Sequence, residues 1–143
     1  MQVSDVVGDD IRTVVTTNPS VTIGDTVDLL EEYSIGAVVV TADGKKILGI
    51  ISERDVVRHL VREQEGTLRL KVEDLMTSNV STCRLDDDVE SAMATMMNGR
   101  FRHLPIVTDG DELCGIVSLA DLAHARLIEL ESLNNQLRNT AAN

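Results

Sequence analysis

The chain is poor in aromatic side chains, and this scarcity disfavours one class of partner. Tyr33 and Phe101 are the only two aromatics among 143 residues, and tryptophan is missing. A surface that stacks nucleic-acid bases needs several exposed rings, so such a platform is disfavoured. Cysteine is also scarce: Cys83 and Cys114 lack Cys-x-x-Cys spacing and are too few for a disulfide framework. We expect both to be buried thiols in a reducing cytoplasm.

Positive charge and long apolar runs are lacking as well. The chain has 13 basic and 24 acidic side chains, which gives a formal net charge of -11. Phosphate backbones and anionic membranes repel such a chain, although a local basic pocket for a small anion is still allowed. The longest apolar run, 35–40, is far shorter than the roughly 20 residues of a membrane span. The N-terminus shows no signal segment. The sequence therefore indicates a cytoplasmic protein that binds neither nucleic acid nor membrane.

Motifs for metal binding and catalysis are also missing. His59, His103 and His124 are scattered and have no metal-ligand spacing. The acidic run 86–88 is interpreted as charge at a helix N-terminus, although it could attract a hard cation. There is no Walker A loop and no Gly-x-Ser-x-Gly nucleophile. We therefore predict no enzyme, no metal and no required cofactor; a small hydrolase or transferase is the least favoured alternative.

The chain contains an internal repeat. A shift of 66 residues aligns its two halves without a gap from Val14 to Asp55. In this register residues 49–52 (Gly-Ile-Ile-Ser) fall on residues 115–118 (Gly-Ile-Val-Ser), and the Asp-Gly pair at 43–44 falls on the pair at 109–110. Chance rarely gives so many matches in one register, so a duplicated unit organises the fold.

Each half reads as β-α-β-β-α, which predicts an α+β fold. The strands are predicted at 13–17, 36–41 and 47–52, and again at 79–83, 103–108 and 113–118. Thr22 and Asp88 are the expected N-caps of the first helices, and Thr22 with Asp25 resembles a capping box. Each Asp-Gly pair predicts a hairpin turn. Two halves packed by pseudo-two-fold symmetry would bury both sheets, with boundaries at 1–66 and 67–126 and a helical extension at 127–143.

A Gly-x-x-Ser-x-x-Asp motif stands at the predicted strand-to-helix junction of both halves. It comprises Gly49, Ser52 and Asp55 in the first half and, in the second, Gly115, Ser118 and Asp121. Glycine lets a ligand approach the backbone, a helix start with a serine can hold phosphate, and an aspartate can accept hydrogen bonds from a ribose diol. The alternative is that the serines are N-caps and the aspartates only favour the first turn.

Together these residues resemble a pair of CBS domains, the tandem arrangement called a Bateman module. The resemblance rests on the repeat, on Gly-Ile-Ile-Ser-Glu-Arg-Asp and Gly-Ile-Val-Ser-Leu-Ala-Asp, and on Arg-His-Leu-Pro-Ile-Val at 102–107. It covers nearly the whole chain, from about Val3 to Leu127. It implies a regulatory module that binds AMP, ADP, ATP, NAD(H) or S-adenosylmethionine in clefts between the repeats, with no catalysis. Such modules often form homodimers.

The resemblance implies two separate ligand sites. Asp55 and Asp121 would hold ribose hydroxyls, and Ser52 and Ser118 would contact phosphate or the adjoining backbone. A basic phosphate ligand often stands just before the second strand of a repeat in this family. The second repeat has Arg102 there.

The two sites differ in the basic groups that the resemblance assigns to them. His103 follows Arg102 in the second repeat, and both could instead belong to a solvated basic edge. The first repeat has Gly36 and Ala37, whose side chains cannot bind phosphate. Arg54 is therefore expected to supply the charge for the first site.

Apolar groups of the opposite repeat would form the adenine pockets. The resemblance suggests Ile11 and Ile35 for the Asp121 site, and Val80 and Phe101 for the Asp55 site. A core role fits each of these four residues equally well.

Beyond the repeat, a leucine row extends the last predicted helix. The row has coiled-coil-like spacing and consists of Leu127, Leu130, Leu133 and Leu137. It predicts a dimer contact, or alternatively a helix docked on its own domain. The sequence shows no effector domain, so a sensor would have to signal to another chain. The competing hypothesis is a dimeric scaffold with vestigial ligand sites.

Overall fold

The computed structural model describes residues 1–8, 14–63 and 65–141, and it confirms the α+β fold with two repeats. Ile11, which the resemblance suggested for an adenine pocket, lies outside the described residues. The helices and strands, in chain order, are α1 (Val3–Val7), β1 (Thr16–Thr17), α2 (Ile23–Tyr33), β2 (Ala37–Val40), β3 (Gly49–Ser52), α3 (Glu53–Arg62), a 3₁₀ turn (Thr67–Arg69), α4 (Val72–Leu75), α5 (Val89–Gly99), β4 (His103–Val107), β5 (Leu113–Ser118) and α6 (Leu119–Ala141).

The two repeats differ in their first strand. In the first repeat β1 pairs parallel with β2, and β2 pairs antiparallel with β3. In the second repeat β4 and β5 pair antiparallel, but the strand predicted at 79–83 shrinks to one parallel bridge between Cys83 and Ile106. Pro105 explains the difference. It occupies the position of Val39, and because proline has no N–H it cannot extend the ladder toward Ser81.

The caps and turns predicted from the sequence agree only partly with those in the structure. Thr22 caps α2 by accepting a hydrogen bond from the Asp25 N–H at 3.2 Å, as predicted, but Asp25 does not complete a capping box. Asp88 stands at the N-cap of α5 without a side-chain capping bond. In the second hairpin the residue with a positive φ is Asp111, at 60°, which follows the Asp-Gly pair that predicted the turn. The sequence thus located these features more accurately than it assigned their hydrogen bonds.

Each repeat lends a short helix to the core of the other. Val3 of α1 is fully buried in the second core, and Val72 of α4 is fully buried in the first. Backbone hydrogen bonds fix both helices: Val3 donates to the Asp87 carbonyl at 2.9 Å, and Val72 donates to the Val21 carbonyl at 2.8 Å. The first core consists of Ile23, Leu30, Val38, Val40, Ile51, Val56 and Val72. The second consists of Val3, Cys83, Val89, Ala92, Met96, Leu104, Ile106, Val117 and Leu122. The two repeats are therefore interdependent.

The last helix begins in the second core and continues into solvent. Leu122 is fully buried, and Arg126 forms ion pairs with Glu90 of α5 and with Glu129 one turn further along. Beyond this anchor, Leu127 is 60% exposed and Leu137 is 69% exposed. The leucine row is thus not covered by the chain's own described residues.

Candidate functional site

A cavity of about 920 Å³ opens between the two repeats. Both halves contribute to its wall: the end of α1, the segment before β1, the end of α2, β5 and the first turns of α6. Its described lining residues are Asp5, Val6, Val7, Val14, Val15, Tyr33, Ser34, Ile35, Gly36, Ala37, Leu85, His103, Ile106, Cys114, Gly115, Ile116, Val117, Ser118, Asp121, His124, Ala125 and Ile128. This wall brings together four of the side chains that were expected to contact ligand: Ile35, His103, Ser118 and Asp121.

Asp121 presents to this cavity a carboxylate that no described residue engages. Ser118 ends β5, and its Oγ accepts a hydrogen bond from the Asp121 N–H at 3.1 Å, which caps α6. Within the described part of the chain, no hydrogen bond or ion pair occupies the Asp121 carboxylate, and the side chain is exposed. Two free acceptor oxygens next to a helix N-terminus can hold a ribose diol with a phosphate beside it.

Asp55 occupies the same place in the motif but uses its carboxylate differently. Its Oδ2 accepts hydrogen bonds from the Ser52 N–H at 2.9 Å and from the Ser52 hydroxyl at 3.0 Å. The Asp55 N–H donates to Ser52 Oγ at 3.3 Å, which completes a capping box at the start of α3. Neither residue lines the cavity between the repeats. In the first repeat the motif thus forms a helix cap, whereas in the second the Asp121 carboxylate accepts no hydrogen bond from the described residues.

His103 reaches across the boundary between the repeats and packs over Gly36. A Cβ atom built on Gly36 would lie 3.1 Å from Cε1 of His103 and 3.4 Å from Oε1 of Glu53. The missing side chain at position 36 thus makes room for the imidazole of the other repeat. Burial lowers the pKa of His103, while the nearby carboxylates of Glu53 and Asp121 oppose that shift. At neutral pH the imidazole is therefore uncharged and can donate or accept a hydrogen bond.

The two arginines expected to bind phosphate lie outside this cavity. Arg102 is exposed, and its backbone carbonyl accepts the Leu119 N–H at 2.8 Å at the start of α6. Arg54 is half-buried on α3. Neither side chain belongs to the described cavity wall, so of the three basic residues expected at the ligand sites only His103 does.

The apolar candidates divide in the same way. Ile35 lines the cavity and also packs against the first core. Phe101 packs against the second core, and its ring covers Gly99 so closely that a Cβ there would clash with it. Val80 is half-buried in the segment before Cys83 and does not line the cavity. A core role is therefore the better description of Phe101.

The sequence of the chain matches the model of a known protein family. The model described as CBS domain matches residues 3–62 and, a second time, residues 72–128. The chain belongs to the CBS domain family. As a CBS pair it has two repeats that enclose the cavity between them.

Solved structures of other CBS proteins share this fold. A CBS-domain containing protein from Agrobacterium tumefaciens is 37% identical with a TM-score of 0.82, over 88% of this chain and 99% of that one. A CBS domain protein from Pyrobaculum aerophilum, complexed with AMP, is 27% identical with a TM-score of 0.79, over 92% and 97% of the two chains.

Longer proteins carry related segments. An inosine-5′-monophosphate dehydrogenase from Methanocaldococcus jannaschii is 35% identical over 81% of this chain but over only 22% of the enzyme. The chain spans 65% of the length of two other curated relatives. Among the described residues, no helix is long and apolar enough to cross a membrane.

Several residues of the CBS cavity were missed from the sequence. Asp5 comes from α1, which contributes to the opposite repeat, and no local pattern signals that exchange. Tyr33 ends α2, lines the cavity and is 53% exposed. His124 could have been found, because it follows Asp121 by three residues and therefore lies on the same face of the helix.

The two motif glycines of the CBS pair have different roles. A Cβ on Gly49 would lie 2.6 Å from Sδ of Met76 and 2.9 Å from the backbone oxygen of Thr77. Gly49 therefore makes room for the chain entering the second repeat, rather than for the ligand that the sequence suggested. Gly115 does line the cavity, and a Cβ on it would lie 3.2 Å from the Cδ1 atom of Ile106.

The two cysteines are free thiols, and burial raises the pKa of both. Cys83 is buried, and burial raises its pKa to about 12, with further contributions from Asp87 and Cys114. Cys114 is half-buried on the cavity wall, and burial raises its pKa as well. A thiol with a raised pKa stays protonated at neutral pH, and because the thiolate is the nucleophile, such a thiol reacts slowly. In the described part of the chain, no group of acidic, histidine or cysteine side chains is placed to hold a metal ion.

Proposed function

We propose that this CBS pair is a regulatory module that binds an adenine nucleotide in the cavity between its repeats. The observation that carries the proposal is the Asp121 carboxylate beside the N-terminus of α6, which none of the described residues engages, in a cavity of about 920 Å³. Ligand sites commonly combine an apolar wall with a few convergent polar groups, and this cavity has both. The AMP bound to the related Pyrobaculum protein supports an adenine ligand.

Each polar group of the cavity has a part in the proposed binding mode. Asp121 accepts hydrogen bonds from the two ribose hydroxyls, and Ser118 with the first N–H groups of α6 approaches the phosphate. His103 adds a hydrogen bond from the opposite side. The apolar groups near Ile35, together with Val15 and the Tyr33 ring, cover the base. In this proposal Arg54 and Arg102 are not ligand contacts of this cavity.

Binding in this position would affect how the repeats are held together. Asp121 and Ser118 belong to the second repeat, whereas Ile35 and Gly36 belong to the first. A ligand that touches both sides stabilises the arrangement in which both are in contact with it, and so shifts the population toward that arrangement. A separate partner protein reads the change. The role proposed is regulatory rather than catalytic.

A thermal-melt panel tests the proposal directly. The pure protein, shown to be ligand-free, is heated with AMP, ADP, ATP, NAD, NADH or S-adenosylmethionine. A ligand present at about 100 times its Kd stabilises the fold by about 2.7 kcal/mol, which raises the Tm by several degrees. We expect a selective rise with at least one adenine ligand. No rise with any of them would favour the scaffold hypothesis with vestigial sites.

We further propose that the protein is a homodimer that uses the leucine row of α6. Leu133→Glu with Leu137→Glu should convert the dimer to a monomer, because both side chains are exposed in the single chain and only a partner would bury them. The Tm of the monomer should change little. Light scattering measures the mass.

Two controls sharpen this prediction. A chain that ends at Arg126 removes the whole row and should also be monomeric. Ser132→Glu adds charge on the opposite side of α6, given 100° per residue, and should leave the dimer intact. An unchanged dimer in the double variant and the truncated chain would refute the interface.

A further inference from the structure

The leucine row of α6 belongs to a heptad pattern. Counted from Leu127 as position a, the a and d positions of this stretch, which we call the α6 seam, are Leu127, Leu130, Asn134, Leu137 and Ala141. Both d positions are leucine, and Asn134 is the one polar residue of the seam. Leucine at d with a single asparagine at a is typical of a coiled coil with a fixed register.

The α6 seam lies on a part of the helix that needs a cover. Leu122 is the last buried residue of α6, and every residue from 130 to 141 is exposed in the single chain. Isolated helices shorter than roughly 12–15 residues are marginal in water, and the exposed stretch is no longer than that. A partner helix on the seam would stabilise it by burying its apolar side chains.

The α6 seam points away from the cavity between the repeats. Asp121, His124 and Ile128 line the cavity from one side of α6. At 100° per residue, the centre of the seam lies about 150° around the helix axis from that side. A partner on the seam therefore leaves this wall of the cavity uncovered, and dimerisation and ligand binding can be measured separately.

The α6 seam is complementary to a second copy of itself. If two copies of α6 run parallel and in register, each seam leucine meets its own copy, and the Asn134 amides meet and can hydrogen-bond to each other. In an antiparallel pair position a faces position d, so each Asn134 amide would lie against a leucine and be buried without a partner. The parallel arrangement is therefore favoured.

Charged side chains beside the seam fit the same arrangement. Arg126 stands at position g and Glu131 at position e, and in a parallel pair the g residue of one helix faces an e residue of the other. Arg126 already pairs with Glu90 and Glu129, but a guanidinium has five N–H donors and can receive another carboxylate. Arg126 of each copy can thus pair with Glu131 of the other.

We propose that α6 forms a parallel, in-register, two-stranded coiled coil with α6 of a second copy of this chain, and that Asn134 sets its register. The inference rests on the proposed homodimer and deepens it, because it names the surface that covers the leucine row and its direction. The other surface that could cover the row is the exposed face of α3, where Val57 is 57% and Val61 is 74% exposed.

Oxidative cross-linking of the full chain tests the direction of the helices. With Leu127→Cys, a disulfide-linked dimer should appear on a non-reducing gel, because residue 127 lies opposite its own copy only in a parallel, in-register pair. Ser132→Cys, on the outer side of α6, should stay unlinked. Both variants keep Cys83 and Cys114, so a link through those thiols would appear in both.

Light scattering separates the two ways in which the cross-linking could fail. A Leu127→Cys chain that is dimeric but unlinked would overturn the coiled coil and leave the α3 face as the covering surface. A wild-type chain that is monomeric would overturn the proposed homodimer itself.

The register residue provides a second test. Asn134→Leu should tighten self-association by about tenfold or more, or give species larger than a dimer, because a lone asparagine at position a fixes the oligomeric state at a cost in stability. Asn135→Leu adds the same side chain outside the seam and should leave self-association unchanged. Analytical ultracentrifugation over a dilution series measures both. Equal effects of the two variants, or weaker association of Asn134→Leu, would refute the inference.

Discussion

Replacing Asp121 by asparagine should weaken the binding of AMP by about 10- to 100-fold. A hydrogen bond to a charged group contributes about 1.5–3 kcal/mol, and the substitution removes the charge while keeping the size of the side chain. The Asp121 N–H still donates to Ser118 Oγ, so the cap of α6 should survive. Isothermal titration measures the affinity, and a thermal melt of the ligand-free variant verifies the fold.

Asp55→Asn is the matched control for this experiment. The Asp55 carboxylate accepts hydrogen bonds from the Ser52 N–H and hydroxyl, so the substitution should lower the free energy of unfolding by about 1 kcal/mol through the weakened cap. The affinity of the cavity for AMP should not change. The stoichiometry also tests the second site that the sequence predicts: two equivalents per chain would mean that Asp55 binds ligand as well. Loss of binding in Asp55→Asn with normal binding in Asp121→Asn would contradict the assignment.

A fragment of residues 1–66 should fail to fold, whereas a fragment of residues 14–77 should keep a cooperative thermal transition. The two fragments are of nearly equal length. The first lacks Val72, which is fully buried in the first core, and it carries Val3 without the second core that buries it. Burying a valine contributes about 1.5–3 kcal/mol, which is decisive for a chain of this size.

Circular dichroism during heating distinguishes the two fragments. The fragment 14–77 also keeps the pairing of Ile50 with Thr77, through two backbone hydrogen bonds of 3.0 and 2.9 Å. A cooperative transition in the fragment 1–66, at the same or a higher Tm than in the fragment 14–77, would show that the exchanged helices do not complete the cores. The chain would then divide at the boundary between residues 66 and 67, as its sequence suggests.

Patterns that act over a few residues were informative in the sequence. The two hairpins, and the helices that begin at Glu53 and Leu119, all follow from short-range hydrophobic period and turn chemistry. The lost strand before Cys83 could have been anticipated too, because Pro105 is visible in the sequence and cannot donate a ladder hydrogen bond. Predictions failed where the two copies of one motif are packed against different neighbouring residues. Gly49 and Gly115 are an example, since the backbone of Thr77 fills the space beside the first.

The sequence by itself determined the duplication, the α+β architecture of each repeat and the positions of both serine–aspartate motifs, because these depend on residue type and local spacing. Only the tertiary structure decided that α1 and α4 cross to the opposite cores, because helices of four or five residues carry too little periodicity to reveal their partners. It also decided that the Asp55 carboxylate is bound to Ser52 while that of Asp121 faces a cavity. A carboxylate's availability depends on which donors the fold brings within hydrogen-bond distance, and no motif encodes that.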